Sequence, residues 1–511
     1  MIIRGRFLSV AFLLIVFSAK SQKIIYSEPE RQDNRRMNFE IVGKISGNFL
    51  IYKNISNKNW ISVLNNNMEQ VNKVEQDYLP DNDRVINIDF FPYSDFFYMI
   101  YQFRKRNIIH CVAAKIDGNG NKIGDLVELD TTQLSFGGDS KIYTVLNSED
   151  KSKLIVFKIN SKDKKLYKIT TILMNETLDV LKKSRLSITM KDRDDFLNEF
   201  QLDNDGDLIF TKFDRINNEN IGDAAFVIKY AQADSFAFYP LNLEKTYLDE
   251  ILIKPDNYNK RYFLTSFYYK QRRGSVDGYY FYVWDKKTKQ PIIEDTITFS
   301  EELRREARGD ASIRMAFDDY FIRNIITRKD GGFIITSESY STYNRGSNWD
   351  RWNYLYGSPY LRSYDYYSYY SYYSPYYNSF WGNRWNDYQS ARYEADNIAV
   401  LSFNNRGQKE WAVVISKSQF DDQTDNLISY QVMNTGGELH FLFNQMEKRI
   451  QLLNDFTLQP DGKIRRNPTL KNLDKGYDFM PRLAKQVSSS QMIIPCVSNR
   501  NYICFAKIEY D

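Results

Sequence analysis

The stretch FIRNIITRKDGGFIITSES, residues 321–339, reads as two strands folded about a turn. An aliphatic run ends at Ile326, a polar turn follows around Asp330-Gly331, and a second run begins at Phe333. Glycine after aspartate is the residue pair that a tight strand reversal takes most readily. The same unit recurs along the chain. It reads FEIVGKISGNFLIYKN from 39, INIDFFPYSDFFYMIYQF from 86, IYTVLNSEDKSKLIVFKI from 142 and LNEFQLDNDGDLIFTKF from 197. It continues as EILIKPDNYNKRYFLTSFYY from 250, LISYQVMNTGGELHFLFN from 427 and LAKQVSSSQMIIPCVS from 483. The spacing is about 47 to 57 residues except around 321, where an aromatic insertion accounts for most of the excess.

Each unit is followed by a second hairpin, such as HCVAAKIDGNGNKIGDLVELD (110–130) or NIAVLSFNNRGQKEWAVVIS (397–416). Two hairpins make a four-stranded unit, with strands A to D. Repetition of such units is the pattern of a β-propeller, which leaves no long sheet edge unprotected. The expected fold is therefore all-β: a single propeller of eight blades, with seven blades and a divergent hairpin as the alternative. The last unit supplies only three strands, and KIIYSE at 23–28 offers the missing outer one.

KDGGFIITSESYS (329–341) followed by NIAVLSFNNRGQKEWAVVIS resembles the repeat of secreted bacterial β-propellers of the kelch-like and general beta-propeller-repeat kind. The likeness is close over 329–416 and partial around NTGGELHFLFN. It implies fold and export, and it carries no catalytic residue over. Exported relatives that end in a sorting domain differ from this chain, whose final residues read as a propeller strand.

The chain opens MIIRGRFLSVAFLLIVFSAKSQ. Arg4 and Arg6 precede an apolar run from Phe7 to Ala19, and Ala19-Lys20-Ser21 suits cleavage. That run is too short to span a bilayer core of about 30 Å. Residues 1–21 thus read as a signal peptide and 22–511 as the propeller. No transmembrane segment is expected in the mature chain. It would be exported, either periplasmic or on the outer cell surface.

Net charge is only +4, which gives no field for nucleic acid. Two histidines, His110 and His440, leave little room for histidine catalysis or zinc. No cofactor, metal site or catalytic residue is expected. Cys496 and Cys504 flank a turn, where either a disulfide or two thiols would fit, and Cys111 has no evident partner.

Residues 343–395 form the insertion, between strands B and C of the sixth unit. It holds about fifteen tyrosines and four of the seven tryptophans, and its positive charges are all arginine, Arg351 among them. Tyr and Trp offer large contact area at low entropic cost, and arginine stacks on them. Candidate contact residues are Trp349, Trp352, Tyr366, Tyr367, Tyr369, Tyr370, Tyr372, Tyr373, Trp381, Arg384 and Trp385. Strand order puts the insertion on the face with the B–C loops and D–A connections. The other B–C loops there carry cations. The D–A connections carry acids: Asp83, Asp139, Asp195, Asp249, Asp319, Asp425 and Asp478. An acidic inner ring inside a basic rim is expected, although aspartates at repeated turns also serve as caps.

DNDGD (203–207) opens like a calcium loop, yet strands flank it and Asp214 stands where a glutamate would be needed, so it reads as a hairpin turn. SEELRREARGD (300–310) is the one convincing short helix, with Ser300 as its N-cap. The function expected from all this is a non-enzymatic binding or scaffolding propeller in a cell-envelope protein assembly. The alternative is recognition or cleavage of a glycan, with aromatic platforms and funnel carboxylates.

Overall fold

The computed structural model describes residues 22–30, 37–80, 85–133, 142–163, 165–191, 195–216, 220–308, 312–344, 351, 391–422, 425–447, 450–467, 476–498 and 502–510. The expected leader 1–21 and nearly all of the aromatic insertion lie outside them. Within the described residues the fold is all-β and antiparallel, with one α-helix at Glu301–Arg308.

Each of the eight quoted stretches is an antiparallel strand pair, and each pair begins a meander. Met37–Ile45, Asn48–Ile55, Lys58–Leu64 and Gln70–Glu75 pair in that order, and four-stranded sheets at 85–133, 143–189, 320–421 and 430–466 repeat the plan. Two further meanders, at 195–240 and 252–298, merge into one nine-stranded sheet. The short strand Tyr247–Leu248 joins them, with Leu248 opposite both Ile221 and Tyr268. The last sheet, 477–509, takes Lys23–Tyr26 as an added strand, with Lys23 opposite Glu509 and Tyr26 opposite Ala506.

Burial explains which residues make which strand. Second and third strands such as Asn48–Ile55 (NFLIYKNI) and Gly278–Asp285 (GYYFYVWD) are buried along almost their whole length. A strand covered on both faces needs a continuous apolar run, without polar alternation. Fourth strands such as Lys122–Gln133 are largely exposed and correspondingly polar. The covering comes from neighbouring sheets. One core cluster interleaves Val42, Leu50 and Ile61 with Ile88, Met99 and Val112 of the next sheet. Others join Ile334 and Val400 to Phe441, and Met433 and Leu442 to Ile494. Ile41 and Phe49 of the first sheet pack on Ile493 and Phe505 of the last. Each such residue, fully buried, contributes about 1.5–3 kcal/mol.

The A–B turns of successive sheets bond to one another, which places them on one face. The Ser46 N–H donates to Ser94 O at 2.8 Å. The Asp150 N–H donates to Asn204 Oδ1 at 3.1 Å, and the Asn204 N–H to Asn257 Oδ1 at 3.0 Å. Asn259 Nδ2 donates to Arg328 O at 3.1 Å, and Gln486 Nε2 to Asn434 O at 2.8 Å. From the last sheet, Lys485 Nζ donates to Ile41 O and Val42 O at 3.0 and 3.1 Å. The B–C ends of the second and third strands consequently lie at the opposite end of the sheets.

The helix follows its capping signal: the Leu303 N–H donates to Ser300 Oγ at 3.3 Å. Leu303 and Ala307 enter the core beside Phe299 and Phe317. Buried Arg304 donates to Val276 O at 2.8 Å and Asp277 O at 2.9 Å, which ties the helix to the start of a strand.

Candidate functional site

The insertion is rooted on two long strands. Phe333–Asn344 and Ala391–Phe403 pair to their ends, with Tyr343 opposite Arg392 and Asn344 opposite Ala391. Around this root exposed apolar and aromatic side chains stand beside the charged Arg392, Glu394 and Asp422. Tyr343 is 49% exposed, Phe420 59% and Met446 64%, all at the B–C end of their strands. The Arg392 guanidinium stacks 4.1 Å from the Phe420 ring centroid, and its Nε donates to Glu394 Oε1 at 2.9 Å. Trp349, Trp352, Tyr366, Tyr367, Tyr369, Tyr370, Tyr372, Tyr373, Trp381, Arg384 and Trp385 lie outside the described residues.

Arg351 is described and is not a surface charge. It is buried against Asp249, with Nε and Nη2 donating to Oδ2 at 2.9 and 2.7 Å. Nη1 donates to Asp318 O at 3.0 Å. Its guanidinium packs 4.2 Å from the Phe321 ring and 5.5 Å from the Phe267 ring. Asp249 also accepts from Tyr269 OH at 3.1 Å and Ser266 Oγ at 3.2 Å. The insertion is therefore pinned near its beginning to the connection between Tyr247–Leu248 and Leu252–Asp256.

The inner acids have separate environments. Asp83 and Asp139 lie outside the described residues. Asp195 caps a turn, its Oδ2 accepting the Lys191 N–H at 2.5 Å, and it pairs with Lys212 Nζ at 3.0 Å. Asp319 stands 3.5 Å from the Arg308 Nη1, and burial raises its carboxyl above the usual range. Asp425 pairs with Arg482 and accepts from Tyr340 OH at 3.5 Å. Asp478 sits in the strand Tyr477–Phe479, opposite Val497. Among the described residues no group of three or more His, Cys, Asp or Glu side chains could hold a metal ion.

A second layer of charge lies beside Asp249. Glu338 and Lys417 are both wholly buried, Nζ to Oε1 at 2.9 Å. Glu338 Oε2 also accepts from Arg323 Nε at 3.1 Å and from Ser429 Oγ at 2.6 Å. Burial alone would raise this carboxyl, but the Lys417 and Arg323 charges and the Ser429 hydroxyl outweigh it and hold it below its ordinary value. Glu250, next to Asp249, behaves oppositely. Burial, then the Glu199 and Asp249 charges, push it up to about 8. Glu199 reaches this cluster from a bulge where its own φ is +56°. Sequence reading passed over Glu199, Glu250, Arg323, Glu338 and Lys417. The available signal was a charged residue inside an aliphatic strand run, as in FIRNIITR or WAVVISKS.

The DNDGD loop is a hairpin turn whose cation position is filled from within the protein. The Asp203 carboxylate accepts the Asp205 and Asp207 N–H groups at 3.0 and 2.8 Å, and Gly206 takes φ +90°. Lys286 Nζ contacts Asp203, Asp205 at 2.7 Å and Asp207 at 3.1 Å. Tyr262 OH donates to Asp203 Oδ2 at 2.7 Å beneath it.

The three cysteines are buried free thiols, and burial pushes Cys496 well up. Cys496 and Cys504 lie directly opposite each other in the last sheet. His110 stacks on Phe103 with its Nδ1 2.7 Å from Glu128 Oε2. His440 lies in a buried polar cluster around Asp455, which also accepts from Tyr510 OH at 3.0 Å, from Asn467 Nδ2 at 3.1 Å and from the Gln22 amide.

No family model matches this chain, and no curated protein sequence matches it. Solved structures do resemble it. The β-propeller domain of the Trilobed protease from Pyrococcus furiosus aligns over 83% of this chain and 93% of its own, at 8% identity and a TM-score of 0.36. Synechocystis apocarotenoid oxygenase aligns over 95% and 93%, at 9% identity and a TM-score of 0.33. Prolyl oligopeptidase B from Galerina marginata aligns over 94% of this chain, at 8% identity and a TM-score of 0.37. The chain spans about half of that protein's length, 56%. Among the described residues no helix is long and apolar enough to cross a membrane.

Proposed function

We propose that this chain is an exported propeller of eight blades, closed by its N-terminal strand, that acts as a non-enzymatic docking module in a cell-envelope protein assembly. The sheet-to-sheet core clusters and the pairing of Lys23–Tyr26 with the final strand support the ring. Such closure leaves the blade tips and loops as the surfaces free for recognition. Docking is assigned to the face that carries the insertion.

The observation that carries the docking reading is the root of the insertion. Tyr343, Phe420 and Met446 are exposed there, and Arg392 is stacked on Phe420. Exposed aromatic and methionine side chains beside arginine are the composition of interface centres. The tyrosine- and tryptophan-rich residues 345–390 extend this chemistry.

The test is an affinity pull-down from the native cell envelope with the mature chain and with a variant in which a short Asn-Gly turn replaces residues 345–390. That variant also carries Asp249→Asn, because removing Arg351 alone would leave a buried carboxylate unpaired. Discrete envelope proteins retained by the native chain and lost with the replacement support docking. Identical protein profiles from both refute it.

A further inference from the structure

Between the strand Val180–Thr189 and the meander that starts at Asp195 lies a cleft of about 290 Å³. Asp195, Lys212 and Asp223 line it from three adjacent strands, while Ser187 and Thr189 line it from the preceding sheet. Asp195 stands opposite Asp214, and Asp214 opposite Asp223, so these side chains share one face of the sheet. Phe238, 45% exposed on the strand Ala237–Pro240, forms an apolar edge.

Asp195 is only 4% exposed, yet only one of its oxygens is used. Oδ2 takes the Lys191 N–H and the Lys212 ammonium. Oδ1 has no hydrogen-bond partner among the described residues, and it is not one of the sealed polar atoms of the interior. An acceptor that reaches solvent without a protein donor is open to a ligand hydroxyl in exchange for water. Among the described residues Lys212 Nζ pairs only with Asp195, which leaves it N–H groups to give. Further out, Lys191 Nζ pairs with Asp223 Oδ2 at 2.8 Å. Acceptor and donor therefore sit side by side at two levels of the cleft.

We propose that this cleft binds the ring of a neutral pyranose sugar. A vicinal diol gives one hydroxyl hydrogen to Asp195 Oδ1 and accepts from Lys212 Nζ with the adjacent oxygen. The Asp195–Lys212 and Asp223–Lys191 pairs already balance each other, so a charged ligand would have to break one of them. Asp214 adds a further acid to the wall, which disfavours uronic acids and phosphates. The Phe238 face suits the apolar side of a sugar ring. At about 30 Å³ per water, the volume equals roughly ten waters, room for one ring and little more. This site is independent of the aromatic insertion and of the docking reading.

Saturation-transfer NMR on the mature chain with methyl glycosides of glucose, galactose and mannose at millimolar concentration tests it. Transfer to at least one glycoside is expected. That transfer is lost in Phe238→Ala and in Asp195→Asn, and it is kept when residues 345–390 are replaced. Because Asp195→Asn also breaks a buried ion pair, the exposed Asp223→Asn serves as the second polar variant, with circular dichroism verifying the fold of each. Absence of transfer from all the glycosides overturns the proposal, as does transfer that survives in Phe238→Ala and Asp223→Asn or vanishes with the insertion.

Discussion

Replacing Lys286 with methionine removes the ammonium that stands among Asp203, Asp205 and Asp207. Asp203 and Asp207 side chains are 1% and 9% exposed, so neither can turn to water. Asp205 is 48% exposed and keeps Lys260 Nζ at 2.9 Å. The loss therefore falls on two buried carboxylates, which keep only neutral donors: Tyr262 OH and the Asp205 and Asp207 N–H groups to Asp203, and the Ala231 N–H to Asp207. Breaking a buried pair by removing one partner costs about 3–5 kcal/mol. Lys286 is partly exposed and Asp205 is spared, so about 3 kcal/mol is expected. That is a large share of a stability typically of about 5–15 kcal/mol. Equilibrium urea unfolding at neutral pH measures it.

The pH dependence gives a second readout. Burial alone would raise the Asp205 carboxyl, but the Lys286 and Lys260 ammoniums outweigh it and hold it below its ordinary value. That group therefore adds stability above the carboxylate range that is lost on acidification, and Lys286→Met removes part of it. The gap between the two proteins should therefore narrow as pH falls from 7 toward about 4.5. Asp203→Asn added to Lys286→Met should recover part of the loss. A loss below about 1 kcal/mol, or a gap independent of pH, would refute the assignment of Lys286 as an internal cation.

Glu250, with its carboxyl pushed up to about 8, stays protonated in the folded state over a range where the unfolded chain ionises it. Stability should fall as pH rises from about 4.5 to 8, by about 2–4 kcal/mol, and Glu250→Gln should flatten that slope in urea titrations. A Cβ on Gly278 would stand 1.8 Å from Ile297 O, within the pairing of two strands. Gly278→Ala should cost at least about 3 kcal/mol or prevent soluble expression, with thermal unfolding as the check. Lys417→Met leaves Glu338 buried with Arg323 and Ser429 only. A loss of about 3 kcal/mol is expected, larger at pH 8 than at pH 5.

Much of the architecture is legible in the chain because strand periodicity is local. All eight quoted stretches pair as expected, and the Gly-containing turns fall between strands. Side-chain partnership was far less legible. Asp249 belonged to a row of like aspartates in the sequence, but its guanidinium partner lies 102 residues away at Arg351. Lys286 and the DNDGD loop belong to different meanders, and nothing local links them. The Glu338–Lys417 pair depends on a strand bulge between Asp396 and Ile398. Register irregularities of this kind re-aim side chains without leaving a compositional mark.

Pairing of Lys23–Tyr26 with Tyr502–Glu509 also sets the order of assembly. Lys23–Tyr26 and its partner are the first and last described strands. Intermediate sheets can form from local hairpins as they appear, but this junction must wait for Tyr502–Glu509. Contacts of such sequence separation are slow to form. Until then the edge strand Tyr502–Glu509 stays open to foreign strands. This seam is therefore the last part of the fold to be made, and the one most exposed while it waits.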